Sequence, residues 1–130
     1  MGYRSDVCIA ISEKVRTDNI ITQAIPQELM DWADDCYRFN YTEYETEHLG
    51  ISYPTHKIGF LWRLTAVKWY VDDPAVKRIN DFLHNLPDED YDFIRLGEDY
   101  GDAESHLGLD VLTIEWDIGA PSCNNLGNSL

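Results

Sequence analysis

The chain has 130 residues, enough for one domain, and its 24 Asp and Glu against ten Lys and Arg give a formal net charge of −14. This charge excludes the usual sequence-independent nucleic-acid binder, which needs cations to displace counterions from phosphates, and it argues against an anionic membrane surface. It favours a basic protein, a cationic ligand or a metal ion as partner, although acidic composition more often serves solubility alone.

The N-terminal half is predicted to hold a strand, two helices and two further strands. Residues 3–12 alternate β-branched with small or polar residues, which predicts a strand with one buried face. A short helix capped by Asp18 follows, and residues 26–38 carry apolar side chains three and four apart, the spacing of an amphipathic helix. The next two strands are predicted over 41–48 and 56–70.

The C-terminal half begins with the clearest helix start in the chain. Asp73 followed by Pro74 predicts an N-cap with proline at the first helical position, and the apolar stripe that follows stops at Pro87. Residues 120–130 are rich in Gly, Asn and Ser and predict a flexible tail after a single domain of residues 1–119. The last two strands are predicted over 91–96 and 109–118.

This order of elements predicts an α+β fold. A βαββαβ succession with right-handed crossovers is the ferredoxin-like arrangement, here with an additional C-terminal strand. Helices would lie on one face of a mostly antiparallel sheet. The other face would be covered by side chains, by the extra elements or by a partner. Such a fold specifies no function.

Acidic residues are concentrated in one strand and two loops. Carboxylates on alternate strand residues stand about 6.7 Å apart, twice the ~3.3 Å rise per residue, and form a row as phosphates do along a nucleic acid. We therefore predict an anionic surface that binds a basic protein, with a solvated edge strand that deters aggregation as the competing interpretation. The predicted contact residues are Glu43, Glu45, Glu47, Asp88, Glu89, Asp90, Glu98, Asp99 and Asp102.

Aromatic and basic residues around the third predicted strand suggest a second kind of site. Their rings would stack on a nucleotide base while the cations neutralise its phosphates. Packing of the rings against the second helix is the competing interpretation and the one we favour. The residues of this alternative ligand site are Arg4, Arg63, Lys68, Trp69 and Tyr70.

Signatures of catalysis and of metal binding are weak. The sequence has no GxSxG, GxxxxGK[ST] or GxGxxG motif. Asp99, Asp102, Glu104 and His106 are rich in metal-ligand atoms, but an EF-hand loop starting at Asp102 would place Leu107 where glycine is needed. We therefore expect no metal and no cofactor, and a metal-dependent hydrolase built on these four residues is the least favoured function.

Cysteine usage and the N-terminus predict a compartment. The three cysteines show no CxxC spacing, so we expect no disulfide framework or zinc knuckle, and Cys8 and Cys36 are interpreted as small buried thiols in a reducing compartment. Residues 1–6 lack the features of a secretion signal, and no apolar run has the length of a membrane span. These observations predict a cytoplasmic protein.

Three blocks of sequence resemble a family of small bacteriophage and prophage proteins. They are MGYRSD at residues 1–6, VKWY at 67–70 and FIRLGED at 93–99, in the same order over most of residues 1–100. The resemblance implies a phage accessory protein that acts in the cytoplasm of a bacterial host. It carries no catalytic residue over, because the family has no assigned activity.

Charge and resemblance together predict a non-enzymatic protein that binds and inhibits a basic host protein. That partner would belong to a defence or nucleic-acid-handling complex, and the inhibitor would imitate nucleic acid. A nucleotide- or small-ligand-binding module is the first alternative, and the metal-dependent hydrolase is the second.

Overall fold

The computed structural model of the protein describes residues 3–15, 25–46, 50–99, 101–116 and 121–125. Its regular elements are numbered in chain order. They are β1 (Ser5–Ile11), α1 (Gln27–Trp32), β2 (Asp35–Thr46), β3 (Ser52–Val67), α2 (Pro74–His84), a short 3-10 turn (Asp88–Asp90), β4 (Tyr91–Gly97), β5 (Ala103–Leu107), β6 (Leu112–Trp116) and β7 (Pro121–Asn125).

Five strands form one sheet in the order β2-β3-β1-β4-β5, and each neighbouring pair is antiparallel. The connection through α1 leads from β1 to β2 with β3 between them, and the connection through α2 leads from β3 to β4 with β1 between them. This antiparallel sheet with its helices confirms the predicted α+β class. The ferredoxin-like topology remains a prediction.

The C-terminal strands differ from the prediction. The strand expected in the sheet over residues 109–118 is β6, which pairs with β7 in a separate two-stranded sheet. The additional strand beside β4 is β5, in the loop that was interpreted as acidic. Strand β7 (Pro121–Asn125) lies in the segment where we expected a flexible tail.

The central strand β1 is buried on both faces rather than on one. Val7 and Ile9 belong to the core on the helix side of the sheet, whereas Cys8 and Ala10 belong to a second core on the opposite side. The alternation of residues 3–12 predicted the strand but only one buried face, because small residues such as Ala10 give no clear signal of burial. Their burial follows from the elements that cover the second face.

On the helix side, α2 packs through Val76, Ile79 and Leu83 against β1 and β3. The carboxylate of Asp73 accepts a hydrogen bond from the backbone N–H of Ala75 at 2.8 Å, so the predicted N-cap is confirmed. This cap combines with Pro at the first turn to start the helix at a sharply defined residue.

Helix α1 ends at Trp32, six residues before the predicted end at residue 38. The chain becomes extended at Ala33, and the backbone N–H of Asp34 donates to the carbonyl of Arg63 at 2.8 Å. The Asp34 carboxylate in turn accepts from the backbone N–H of Thr65 at 2.9 Å. Pairing with β3 therefore overrides the helical spacing of residues 33–38, because it satisfies backbone groups along the whole of β2.

The opposite face of the sheet has its own apolar core. Phe39 and Tyr41 on β2 are buried there. Val111 and Leu112, which lead into β6, cover the same face. The start of β6 therefore covers the second face of the sheet.

A buried carboxylate anchors that segment. Asp92 on β4 is fully buried. Its Oδ1 accepts backbone N–H bonds from Leu109 and Asp110 at 2.8 Å each, and its Oδ2 accepts from Val111 at 2.7 Å and Leu112 at 2.9 Å. One side chain thereby satisfies four consecutive backbone donors and holds the chain in place over the sheet.

The cysteines depart from the expectation of two buried reduced thiols. Cys8 is buried and disulfide-bonded, and Cys36 is an exposed free thiol. A disulfide is uncommon in a reducing compartment. The cytoplasmic placement therefore depends on the resemblance to phage proteins and not on cysteine usage.

No helix in the described part of the chain is long and apolar enough to cross a bilayer.

Candidate functional site

Strands β2 and β3 extend beyond the rest of the sheet as a two-stranded arm. Strand β1 pairs with β3 only from Phe60 to Val67, whereas β2 pairs with β3 from residue 52 to residue 63. The outer part, residues 42–46 and 52–56, is named the β2–β3 arm. It carries exposed Glu43 and Tyr53, and Glu45 lies two positions beyond Glu43 on the same strand. Glu47 lies outside the described residues.

Acids from three segments converge at the base of this arm. A cavity of about 430 Å³ is lined by the acids Glu13, Glu43 and Asp90 and by Ser12, Lys14, Tyr41 and Lys57. Asp90 and its neighbours Asp88 and Glu89 form the 3-10 turn before β4. We call these five acids the acidic end: Glu13, Glu43, Asp88, Glu89 and Asp90.

Hydrogen bonds hold the acidic end together. The backbone N–H of Ser12 donates to the carbonyl of Asp90 at 2.9 Å, and the backbone N–H of Glu13 donates to the Tyr41 hydroxyl at 3.0 Å. Lys57 lies 3.7 Å from the Glu13 carboxylate. Burial raises the pKa of Tyr41, and the negative charges of Glu43, Glu13 and Asp90 act in the same direction. The three acids outnumber the two lysines in the lining of the cavity.

The remaining predicted contact residues lie at the other end of β4. Glu98 and Asp99 are exposed in the turn after that strand. Six residue steps of β4 separate the two groups by about 20 Å. Glu98 accepts the backbone N–H of Arg4 at 3.1 Å. The nine acids selected from the sequence therefore do not form one continuous surface.

Asp102 is engaged inside a polar cluster around Arg95. Arg95, only 11% exposed, donates to both Asp102 oxygens, at 2.8 and 3.3 Å, and to Glu104 Oε1 at 3.1 Å. The Tyr3 hydroxyl donates to Asp102 Oδ2 at 2.5 Å, and Arg95 also donates to Ser5 Oγ at 3.1 Å. We call these five residues the Arg95 cluster. It ties β1 to the β4–β5 turn.

The Arg95 cluster gives the protein a defined acid sensitivity. The hydrogen bond from Arg95, followed by that from Tyr3, holds the pKa of Asp102 below its ordinary value of 3.8. A lowered folded-state pKa contributes stability above the ordinary value, and this stability is lost as the pH falls through the folded-state value. We expect the stability advantage of the wild type over Asp102→Asn to be constant above pH 5 and to shrink below about pH 4.

Urea unfolding of both proteins at each pH measures this difference. Asp31→Asn, at an exposed acid on α1, is the control. A stability difference between the wild type and Asp102→Asn that does not change with pH down to pH 2.5 would contradict an ionised Asp102 paired with Arg95.

Three of the four residues considered for metal binding are engaged in other interactions. Asp102 and Glu104 both pair with Arg95, and His106 Nε2 lies 2.8 Å from the backbone carbonyl of Asp88. Among the described residues, no group of three or more His, Cys, Asp or Glu side chains is placed to hold a metal ion.

The structure withdraws the tryptophan of the alternative ligand site into the core and leaves Arg4, Lys68 and Tyr70 at the surface. Trp69 is 8% exposed and packs on Phe93 in the helix-side core, with ring centroids 5.9 Å apart. Tyr70 is exposed, and its hydroxyl accepts the backbone N–H of Tyr3 at 2.8 Å. Lys68 is exposed. Arg4 donates a hydrogen bond to the backbone carbonyl of Ala66 at 3.0 Å. Arg63 lies on β3 between the buried residues Trp62 and Leu64.

A cavity that sequence reasoning missed lies between α2 and the β4–β5 edge. It measures about 330 Å³ and is named the α2–β5 pocket. Leu83, Tyr91 and Phe93 provide its apolar surface. Tyr91 stacks on His106, with ring centroids 4.2 Å apart and an angle of 18° between the rings. The polar residues that line it are Asn80, His84, Glu104, Ser105 and His106.

Comparison with protein-family models, with curated proteins and with solved structures finds no match to this chain. The functional argument therefore depends on the acidic end, the β2–β3 arm and the α2–β5 pocket.

The α2–β5 pocket gave only a partial signal in the sequence because its walls come from distant segments. His84 on α2 and His106 on β5 line the same cavity only because β5 pairs with β4 beside that helix. The useful signal was the composition of the loop at 99–106, which is polar with an aromatic residue nearby. That composition was interpreted as an acidic loop, whereas half of it is the edge strand β5.

Proposed function

We propose that the protein is a non-enzymatic phage-type accessory protein that binds and inhibits a basic host protein in the bacterial cytoplasm. The partner would be a component of a defence or nucleic-acid-handling complex. The contact surface would be the acidic end together with the β2–β3 arm. The acids would occupy the surface on which the partner binds nucleic acid.

The observation that supports this proposal most is the convergence at the acidic end. Glu43 and Asp90 come from distant parts of the sequence and line one cavity. Asp88 and Glu89 are exposed beside them. Opposite charge across an interface raises the association rate and selects the partner, and both effects weaken with salt. A net charge of −14 adds long-range attraction to any basic surface.

The arm supports the proposal by its shape. A two-stranded ribbon that extends past the sheet reaches into a concave partner surface more easily than a flat sheet face does. Its exposed Tyr53, 46% accessible, is the kind of aromatic residue that is enriched at protein interfaces. The arm therefore combines a carboxylate with an apolar contact.

The first test captures the partner and then asks which acids hold it. Tagged protein is incubated with bacterial lysate at low salt, and bound proteins are identified by mass spectrometry after elution at high salt. We expect a basic nucleic-acid-binding protein, and we expect nucleic acid to compete with the tagged protein for it.

Charge reversal localises the contact. The triple variant Glu43→Lys, Asp88→Lys, Glu89→Lys is expected to weaken binding of the purified partner about tenfold or more, because it replaces attraction by repulsion at the contact. The control triple Asp31→Lys, Asp72→Lys, Asp81→Lys changes the net charge equally at exposed positions outside the predicted contact set. Equal losses in both triples would show that only long-range charge matters, and unchanged binding in the first would exclude the acidic end.

A further inference from the structure

Three polar side chains that line the α2–β5 pocket have no partner among the described residues. The side chains of Asn80, His84 and Ser105 form no hydrogen bond or ion pair there, and those of His84 and Ser105 are exposed. This contrasts with the Arg95 cluster, where each polar group has a partner. An apolar surface with a few uncommitted polar groups at its border, and a volume near 330 Å³, is the usual character of a small-group binding site.

The charge of this pocket selects a cation. Glu104 is the one lining residue with a formal charge when the histidines are neutral. Its side chain is 60% exposed, and the bond to Arg95 involves Oε1. Asp102 accepts hydrogen bonds from the same guanidinium through both of its oxygens and balances the positive charge of Arg95. The negative charge of Glu104 is therefore left without a balancing cation within the Arg95 cluster. A phosphate would be repelled there.

The pocket adjoins the acidic end through one of its lining residues. His106 lines the pocket, and its Nε2 lies 2.8 Å from the backbone carbonyl of Asp88, which belongs to the acidic end. A partner bound to Asp88 and Glu89 would therefore lie next to this cavity.

We propose that the α2–β5 pocket receives an arginine side chain of the basic partner. This inference rests on the proposed function. A guanidinium is planar, stacks on aromatic rings and presents five N–H donors, which suits the rings of Tyr91 and Phe93 and the acceptor oxygens of Glu104, Asn80 and Ser105. Lysine offers a compact, strongly hydrated ammonium and would bind more weakly.

The probe for this proposal is N-acetyl-arginine amide, titrated into the isotope-labelled protein and followed by backbone-amide chemical shifts. We expect the shifts to concentrate at residues that line the pocket. N-acetyl-lysine amide is expected to bind several-fold more weakly. Equal responses to the two compounds, or shifts confined to residues elsewhere, would overturn the assignment.

Two variants at matched positions give the control. Glu104→Gln keeps the shape and the bond to Arg95 but removes the charge, and we expect it to weaken arginine binding about fivefold. Glu98→Gln makes the same change at an exposed position at the far end of β4 and is expected to leave binding unchanged. Equal affinities of the two variants would overturn the role of Glu104. Asn80→Phe, which fills the space beside α2, is expected to abolish the pocket shifts.

The two proposals fail in different ways. If arginine does not bind but the triple reversal at the acidic end still releases the partner, the pocket assignment falls and the proposed function stands. If arginine binds in the pocket but the partner is indifferent to the acidic end, the proposed function falls, and with it the partner as the source of the guanidinium.

Discussion

Asp92→Asn is expected to destabilise the protein by about 3–5 kcal/mol, because it disrupts a buried carboxylate that four backbone N–H groups share. An asparagine oxygen replaces one carboxylate oxygen and keeps two of the bonds. The amide NH₂ would then face two backbone donors, and neither side could accept a hydrogen bond. Urea unfolding followed by circular dichroism measures the loss.

The segment that Asp92 holds explains the size of this effect. Val111 and Leu112 are 6% and 1% exposed and cover the second core of the sheet. Release of their backbone would uncover that core, so we also expect Asp92→Asn to bind a hydrophobic dye more strongly than the wild type. The effect combines unsatisfied donors with the loss of apolar burial.

Asp110→Asn is the matched control. Asp110 lies in the same segment, is exposed and has φ +62°, a conformation that asparagine tolerates as well as aspartate does. We expect this variant to stay within about 0.5 kcal/mol of the wild type. Equal losses at positions 92 and 110 would mean that the segment is sensitive to any change and that the Asp92 carboxylate is not its anchor.

The sequence predicted best those elements whose signals are local. The start of α2 follows from Asp73 and Pro74, which cap and initiate the helix through neighbours in the chain. The predicted end of α1 was wrong because the backbone hydrogen bond from Asp34 to Arg63 on β3 ends the helix earlier. A helical spacing in residues 33–38 is a weaker determinant than a partner strand, and the partner lies too far along the chain for periodicity to reveal it.

The roles of the acidic residues also depend on long-range pairing that the sequence does not reveal. Asp92 is an internal anchor, Asp102 is held by an arginine, and Glu43 and Asp88 remain exposed. All four are the same chemical group in an acid-rich sequence. The antiparallel pairing of β1 with β4 places Asp102 beside Tyr3 and Asp90 beside Ser12, and composition carries no trace of that pairing.

Trp62→Ala is expected to cost about 3–5 kcal/mol of unfolding free energy, the usual range for truncating a large buried aromatic side chain. Trp62 is fully buried in the helix-side core, lies edge-to-face with Phe60 at 5.8 Å and donates its Nε1–H to the Met30 sulfur at 3.4 Å. Its removal would leave a cavity under α1 that backbone strands cannot easily collapse to fill. Urea unfolding again provides the measurement.

Tyr53→Ala is the control on the same strand, because Tyr53 is 46% exposed on the β2–β3 arm. We expect a loss below about 1 kcal/mol there, together with weaker binding of the partner. If Trp62→Ala cost no more than Tyr53→Ala, Trp62 would not be a core residue, and the packing of α1 on the sheet would be contradicted. Nucleotide binding is tested separately on the wild type. A melting temperature that rises with added nucleotide would support the ligand-binding alternative, whereas an unchanged melting temperature leaves binding to the exposed acids and the arm.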